Sequence, residues 1–230
     1  MIVSHKHKFI YIKNKRTAGT SIDIALSKIC GADDILTIIN VEDEDLRKKI
    51  GNIKAQNYNI PFYQYNLKDW YRYIVKGKRF VFYSHMSALK LKRYVSSEVW
   101  DTYYKFSFER NPISKCISHY HWRGKQVNYS SFKDYLNSED VFMLKGNHYY
   151  KDKKGNFLVD KVYKMEEMDD AFINIAEKLG IDKNLLTPPH FETKKTSDKH
   201  TVNKENLTAE NNQKIREIFE TEFKEFYSND

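Results

Sequence analysis

The 230-residue chain has two cysteines, four prolines and eight glycines. Two cysteines cannot build the covalent framework of a small secreted domain. Cys30 and Cys116 each fall on the apolar side of an expected helix and read as reduced core residues of a cytoplasmic protein. No Cys/His cluster has zinc-ligand spacing, and no metal is expected. No run of about 18 apolar residues occurs, so no membrane span is expected. The apolar residues Phe9 to Ile12 are soon followed by Lys13 and Lys15, which interrupts any signal-peptide core. Neither a low-complexity linker nor an internal repeat is visible, and the length suits one sizeable core, a single domain over 1–230.

What is abundant is aromatic surface and positive charge. The chain carries 17 Tyr and 14 Phe, and 39 Lys and Arg against 31 Asp and Glu give a net charge of +8. That surplus fits a polyanionic partner: a nucleotide, an acidic glycan or a nucleic acid.

Strand-like and helix-like segments alternate, which predicts an α/β protein. Residues 8–13 read as the first strand and 21–30 as a helix stopped by Gly31. Residues 41–50 are helix-prone, and 56–73, rich in Tyr and Asn, are irregular or partly helical. A compact strand is expected at 79–83, a helix near 88–94, and an aromatic strand at 103–108. Residues 149–164 read as two strands around Lys153, Lys154, Gly155 and Asn156, a hairpin signal. A helix at 168–179 closes at Gly180. Pro188 and Pro189 precede a polar loop at 191–206. The last helix starts near Thr208, with Ile215, Ile218, Phe219, Phe223 and Phe226 on one face.

Two strand-loop-helix units carry the chemistry. In FIYIKNKRTAGTSIDIAL (9–26) a strand enters a helix through Lys15, Arg16, Thr17, Ala18, Gly19, Thr20 and Ser21. Free N–H groups and the positive end of the helix dipole make such a turn a seat for phosphate. Gly19 permits close backbone approach, three hydroxyls can donate, and Lys15 and Arg16 add charge. The Walker pattern GxxxxGK[ST] is absent. The competing reading is an ordinary turn whose N-cap is Thr20 or Ser21, with Asp23 in the first turn. The second unit, KFSFERNPISKCISHYHW (105–122), places Arg110 at a strand's carboxyl end, where open α/β sheets bind ligands. Pro112 suits the first helical turn. Ile113, Cys116, Ile117 and Tyr120 form a core stripe beside a polar stripe of Ser114, Ser118 and His121. Arg110 with Ser118 makes a second oxyanion clamp; the alternative is a structural Arg110 paired with Glu109.

RTAGTS after a strand, together with FERNPxxxxxS some ninety residues on, resembles the PAPS-dependent sulfotransferases, in particular the carbohydrate branch and its small bacterial relatives. The resemblance extends over YSHMSAL, VDKVYKMEEM and the helix ending in FKEFY. It implies a P-loop-like three-layer fold, with a central, mainly parallel sheet flanked by helices. It also implies a donor, 3′-phosphoadenosine 5′-phosphosulfate (PAPS), whose product is the bisphosphate PAP. By position, Lys15 to Ser21 would hold the 5′-phosphosulfate, and Arg110 and Ser118 the 3′-phosphate. The family places Lys directly before Thr-Ala-Gly-Thr. Here Arg16 stands there with Lys15 before it, so either can meet the oxygen bridging phosphorus and sulfur.

His85, just past the expected strand at 79–83, is the candidate base that accepts a proton from an acceptor hydroxyl. The matching His of glycan sulfotransferases has that role; a helix-capping or core-edge His is the other reading. Glu166 or Glu167 is the alternative base. The acceptor is expected to be a carbohydrate or glycoconjugate. Residues 124–164 are the variable acceptor-side segment. Trp122, Arg123, Lys125, Tyr129, Lys145 and His148 form either a sugar-stacking site or a solvated aromatic surface. Lys194, Lys195 and Lys199 either close over the nucleotide or sit in a solvated loop. A kinase with a variant phosphate loop ranks second, lacking the Walker lysine and an acidic Mg²⁺-binding strand end. A basic nucleic-acid binder ranks third, because no recognition motif accompanies the charge.

Overall fold

Residues Phe9–Ile12 are buried on both sides: Ile10 and Ile12 enter one apolar cluster, Phe9 and Tyr11 another. Such a strand belongs inside a sheet covered on both faces. The computed structural model, which describes residues 1–124, 126–187 and 202–228, builds that sheet from five strands. They are β1 (Ile2–Ser4), β2 (Phe9–Ile12), β3 (Ile35–Leu36), β4 (Tyr104–Glu109) and β5 (Lys161–Lys164), in the order β3-β1-β2-β4-β5. β2 with β4 and β4 with β5 are parallel; β1 is antiparallel to both β2 and β3. The α/β expectation therefore holds, with a mixed sheet. β1 alone runs against the other four strands, and two of the four pairings are antiparallel.

Helices cover both faces. α1 (Gly19–Ser27) follows β2 and packs Ile22 and Leu26 on the Tyr11 side. α2 (Val41–Lys49), α3 (Leu67–Lys76), α4 (Ala88–Leu91) and α5 (Ser97–Thr102) fill the connection to β4. α6 (Pro112–Arg123) follows β4 and is capped by Asn111, whose Oδ1 accepts from the N–H groups of Ile113 and Ser114. After α7 (Phe132–Leu136) and α8 (Asn147–Tyr150), β5 leads into α9 (Met168–Leu179), closed by left-handed Gly180. α10 (Ala209–Ile218), capped by Thr208, and α11 (Glu220–Phe226) join α6 and α7 around a third cluster that includes Cys116, Tyr135, Ile215 and Phe219.

Four expectations change. The first helix starts earlier and ends at Ser27, before Gly31. Residues 79–83 form no strand: they make one bridge, Asn59 with Val81. Phe80 and Phe82 still bury their rings in the core, but β2 already has β1 and β4 as neighbours, which leaves no place beside it for this segment. The 149–164 hairpin is reduced to a turn bridged at Lys151 and Phe157, because Tyr150 ends a helix and β5 pairs in parallel with β4. The last helix breaks at Phe219. The expected Pro188–Pro189 break and Lys125, Lys194, Lys195 and Lys199 lie outside the described residues. Both cysteines are buried and unpaired, and burial raises both thiol pKa values. Among the described residues no helix is long and apolar enough to cross a membrane.

Candidate functional site

β2 and β4 are adjacent and parallel, with Ile12 opposite Ser107, so the loops after them leave the sheet side by side. Arg16 (φ 59°) and Ala18 (φ 57°) in the first loop are left-handed. This conformation is uncommon for residues with a Cβ and costs about 1 kcal/mol at each. Left-handed residues alternating with right-handed ones are the backbone pattern from which anion-binding nests of N–H groups are built. Ala18 is the N-cap of α1 and supplies no side-chain acceptor, and no acid occupies the first turn. The expected Thr20 or Ser21 cap is thus absent, and the positive end of α1 is left without a side-chain counterpart.

Below the loop, Asp23 faces the core. Its Oδ2 is 2.7 Å from Lys13 Nζ and its Oδ1 is 3.2 Å from the Met1 amine. Lys13 Nζ also donates to Thr20 Oγ1 at 3.2 Å. A Cβ on Gly19 would lie 2.8 Å from Lys13 Cγ and 2.9 Å from its Cε. Gly19 therefore gives the Lys13 stem its path to Asp23. The three expected hydroxyls divide. Thr17 is buried and donates to the Asn14 carbonyl at 3.3 Å, so it is committed internally. Thr20 only accepts from Lys13, and Ser21 has no hydrogen-bond partner among the described residues.

The second unit meets the first directly. Arg16 donates from Nε and Nη2 to Ser118 Oγ (3.2 and 2.7 Å) and from Nη2 to the Ser118 carbonyl (2.9 Å). Its guanidinium also lies 5.6 Å from the Trp122 ring centroid. Arg110 Nη1 donates to the Arg16 carbonyl at 3.4 Å. Glu109, the expected alternative partner of Arg110, instead holds Lys115 at 2.5 Å and accepts from Asn14 Nδ2 and the Tyr150 hydroxyl. It touches Arg110 only at the backbone N–H. Neither Arg16 nor Arg110 is in an ion pair among the described residues. Burial, then the neighbouring Arg110, lowers the Arg16 pKa; burial lowers that of Arg110 against the pull of Glu166. The arrangement concentrates positive charge between the two loops.

His85 borders the start of the same loop. Its Nδ1 is 3.2 Å from the Lys13 carbonyl. A carbonyl only accepts, so Nδ1 carries the proton and Nε2 presents a lone pair. Burial, followed by the charge of Lys13, lowers its pKa from 6.5 to about 4. His119, within hydrogen-bond reach of Tyr135, is lowered to about 4 by burial and then by Arg16. Because the folded state resists protonating both rings, their stabilising contribution is complete above pH 6.5 and is lost as pH falls toward 4. Unfolding free energy should drop over that interval by up to about 3 kcal/mol for each His. Urea melts at a series of pH values check this, and a flat profile would refute it.

Of the two alternative carboxylates, Glu166 adjoins the second loop and Glu167 does not. Glu166 accepts from the Asn111 N–H and from the Tyr227 hydroxyl, beside Arg110, and Glu167 pairs with Lys164. The acceptor-side residues have partners of their own or face solvent, and Trp122 and Arg123 border the first loop. Arg123 and Tyr129 both bind Asp140, Lys145 lies over Phe142, His148 is exposed, and Trp122 backs Arg16. Lys15 points toward Met143 Sδ at 3.7 Å. Lys13, Asn14 and Lys115 are site residues without a sequence expectation, while Asp23 and Glu109, expected as a first-turn acid and as a partner of Arg110, hold Lys13 and Lys115 instead.

No family model matches the chain, and no solved structure does either. An uncharacterized protein of Archaeoglobus fulgidus is 26% identical to it over 104 residues, which cover 44% of this chain and 87% of that protein.

Proposed function

We propose that the chain is a sulfotransferase that moves a sulfuryl group from PAPS to a hydroxyl of a carbohydrate or glycoconjugate, on a P-loop-like fold. The observation that carries this reading is the meeting of Arg16, Arg110 and Ser118 beside the uncapped start of α1, with neither guanidinium ion-paired among the described residues. Two guanidinium groups, a helix N-terminus and a hydroxyl that still has its proton to donate form a donor set for two phosphate groups. The donor's chemistry fits those residues.

In this reading the amides of residues 17–21 seat the 5′-phosphate, and Arg110 and Ser118 hold the 3′-phosphate. His85 Nε2 takes the proton of the acceptor hydroxyl while that oxygen bonds to sulfur. The bond from sulfur to the bridging oxygen breaks, and its electron pair leaves with PAP. Positive charge for that oxygen comes from the Lys15–Arg16 pair. Positioning and electrostatics supply the rate, as in phosphoryl transfer.

Isothermal titration with PAP in the absence of Mg²⁺ tests the site. Arg110→Ala should weaken PAP binding roughly 10- to 100-fold, the cost of one charge-assisted contact to phosphate. No PAP binding would overturn this reading, and a preference for Mg·ATP would replace it with the kinase.

A further inference from the structure

α3 turns its apolar side outward. At 100° per residue, Trp70, Ile74, Leu67, Tyr71 and Val75 follow one another around an arc of roughly 140°. Leu67 is 89% exposed, Ile74 75%, Tyr71 65%, Val75 58% and Trp70 39%, with Tyr63 just before the helix at 85%. The attachment to the body uses Asp69, Tyr73 and, at the edge of the arc, Trp70. Asp69 is buried, accepting from the Tyr94 hydroxyl and the Asn66 N–H, and Tyr73 packs against Phe62. Of the stripe only Trp70 joins the fold, stacked on Phe62 with ring centroids 5.6 Å apart; Leu67, Tyr71, Ile74 and Val75 enter none of the apolar clusters, and a patch of such residues marks a contact surface.

Charge identifies what it contacts. Lys68, Arg72 and Lys76 continue the circle along one flank, and Lys78 and Arg79 follow the helix; all five are exposed. The one acid of residues 62–79 is the buried Asp69. A two-fold contact with a second copy would set these cations against their own duplicates, with no acid between them. An anionic surface has the opposite requirement. Long cationic stems flanking a convex stripe of aliphatic, Trp and Tyr side chains suit the boundary of a lipid layer, where apolar bodies sink and charged ends stay wet.

We propose that α3 docks this chain onto an anionic phospholipid surface, lying on the bilayer without crossing it. The inference does not depend on the transfer reaction. It is tested by sedimenting the full chain with phosphatidylcholine vesicles, with and without phosphatidylglycerol. The wild type should bind the vesicles containing phosphatidylglycerol, more weakly as salt rises. Leu67→Glu/Ile74→Glu should weaken that binding about tenfold or more, with an unchanged thermal melt because both side chains are exposed. Lys68→Gln/Arg72→Gln/Lys76→Gln should weaken it and flatten its salt dependence. Absence of binding, or binding indifferent to these changes, would overturn the proposal. So would a wild-type dimer in sedimentation equilibrium that Ile74→Glu disperses, since a second copy would then cover the stripe.

Discussion

Glu109→Ala should lower the unfolding midpoint by roughly 6–20 °C, the consequence of about 3–5 kcal/mol lost when one partner of a buried ion pair is removed. Glu109 and Lys115 are both fully enclosed, 2.5 Å apart. Removing the carboxylate strands a cation in the core and takes an acceptor from Asn14, Tyr150 and the Arg110 N–H. The loss is local as well as global, because Asn14 belongs to the first loop and Arg110 to the second. Glu109 is therefore a strut between the two units. A Glu109→Gln/Lys115→Met double variant keeps polar partners at one end and removes the charge at the other. It should be more stable than either single variant. Calorimetric melts decide the matter: a single variant within about 1 kcal/mol of wild type would show that the pair is not buried as described.

The parts of the fold that are legible in the sequence have strong local signals. β2 is an unbroken apolar run, β4 alternates aromatic residues with polar ones, α6 begins with Asn-Pro, α9 ends at Gly180, and α10 begins at Thr208. Both strand-to-helix turns follow from such patterns. Pairing is harder to read. β1 has three residues and no usable period, yet it takes the place beside β2 that would otherwise suit residues 79–83. The Phe80–Phe82 alternation reports burial correctly and says nothing of which backbone lies alongside. The charged foundation of the site was hidden for a related reason. Lys13 and Asp23, or Glu109 and Lys115, look like solvated charges when each is read alone. One clue was available: Gly19, Ile22, Asp23 and Leu26 recur at i, i+3, i+4 and i+7, the buried face of α1. An acid on such a face requires a cation, and Lys13 directly follows a fully buried strand. The N-cap expectation failed because hydroxyl residues at a helix start satisfy a capping pattern whatever their backbone does. The left-handed turns at Arg16 and Ala18 are not visible in composition.

His85→Ala should lower kcat by about 10²–10⁴-fold and leave PAP affinity unchanged. Its contact with the loop is the single hydrogen bond to the Lys13 carbonyl, and it makes no hydrogen bond to the proposed phosphate ligands Arg110 and Ser118. That bond leaves Nε2 as the basic atom. A pKa near 4 keeps the ring neutral throughout the physiological range, so no proton must leave before it can act. The depressed value also makes His85 a weak base while the donor is unbound. The charge of Lys13, with a smaller effect from Lys15, helps hold it down, and a bound polyanion offsets those charges, raising basicity when a hydroxyl is to be deprotonated. The His85 ring should accordingly titrate near pH 4 by NMR in the free protein and at higher pH with PAP bound. His85→Gln separates the base from the strut, because its amide can still donate to the Lys13 carbonyl without accepting a proton in turnover. It should be as slow as His85→Ala. Ordinary turnover in either variant would remove His85 from the chemistry. If PAP binding fell in step with kcat, His85 would be a support for the loop.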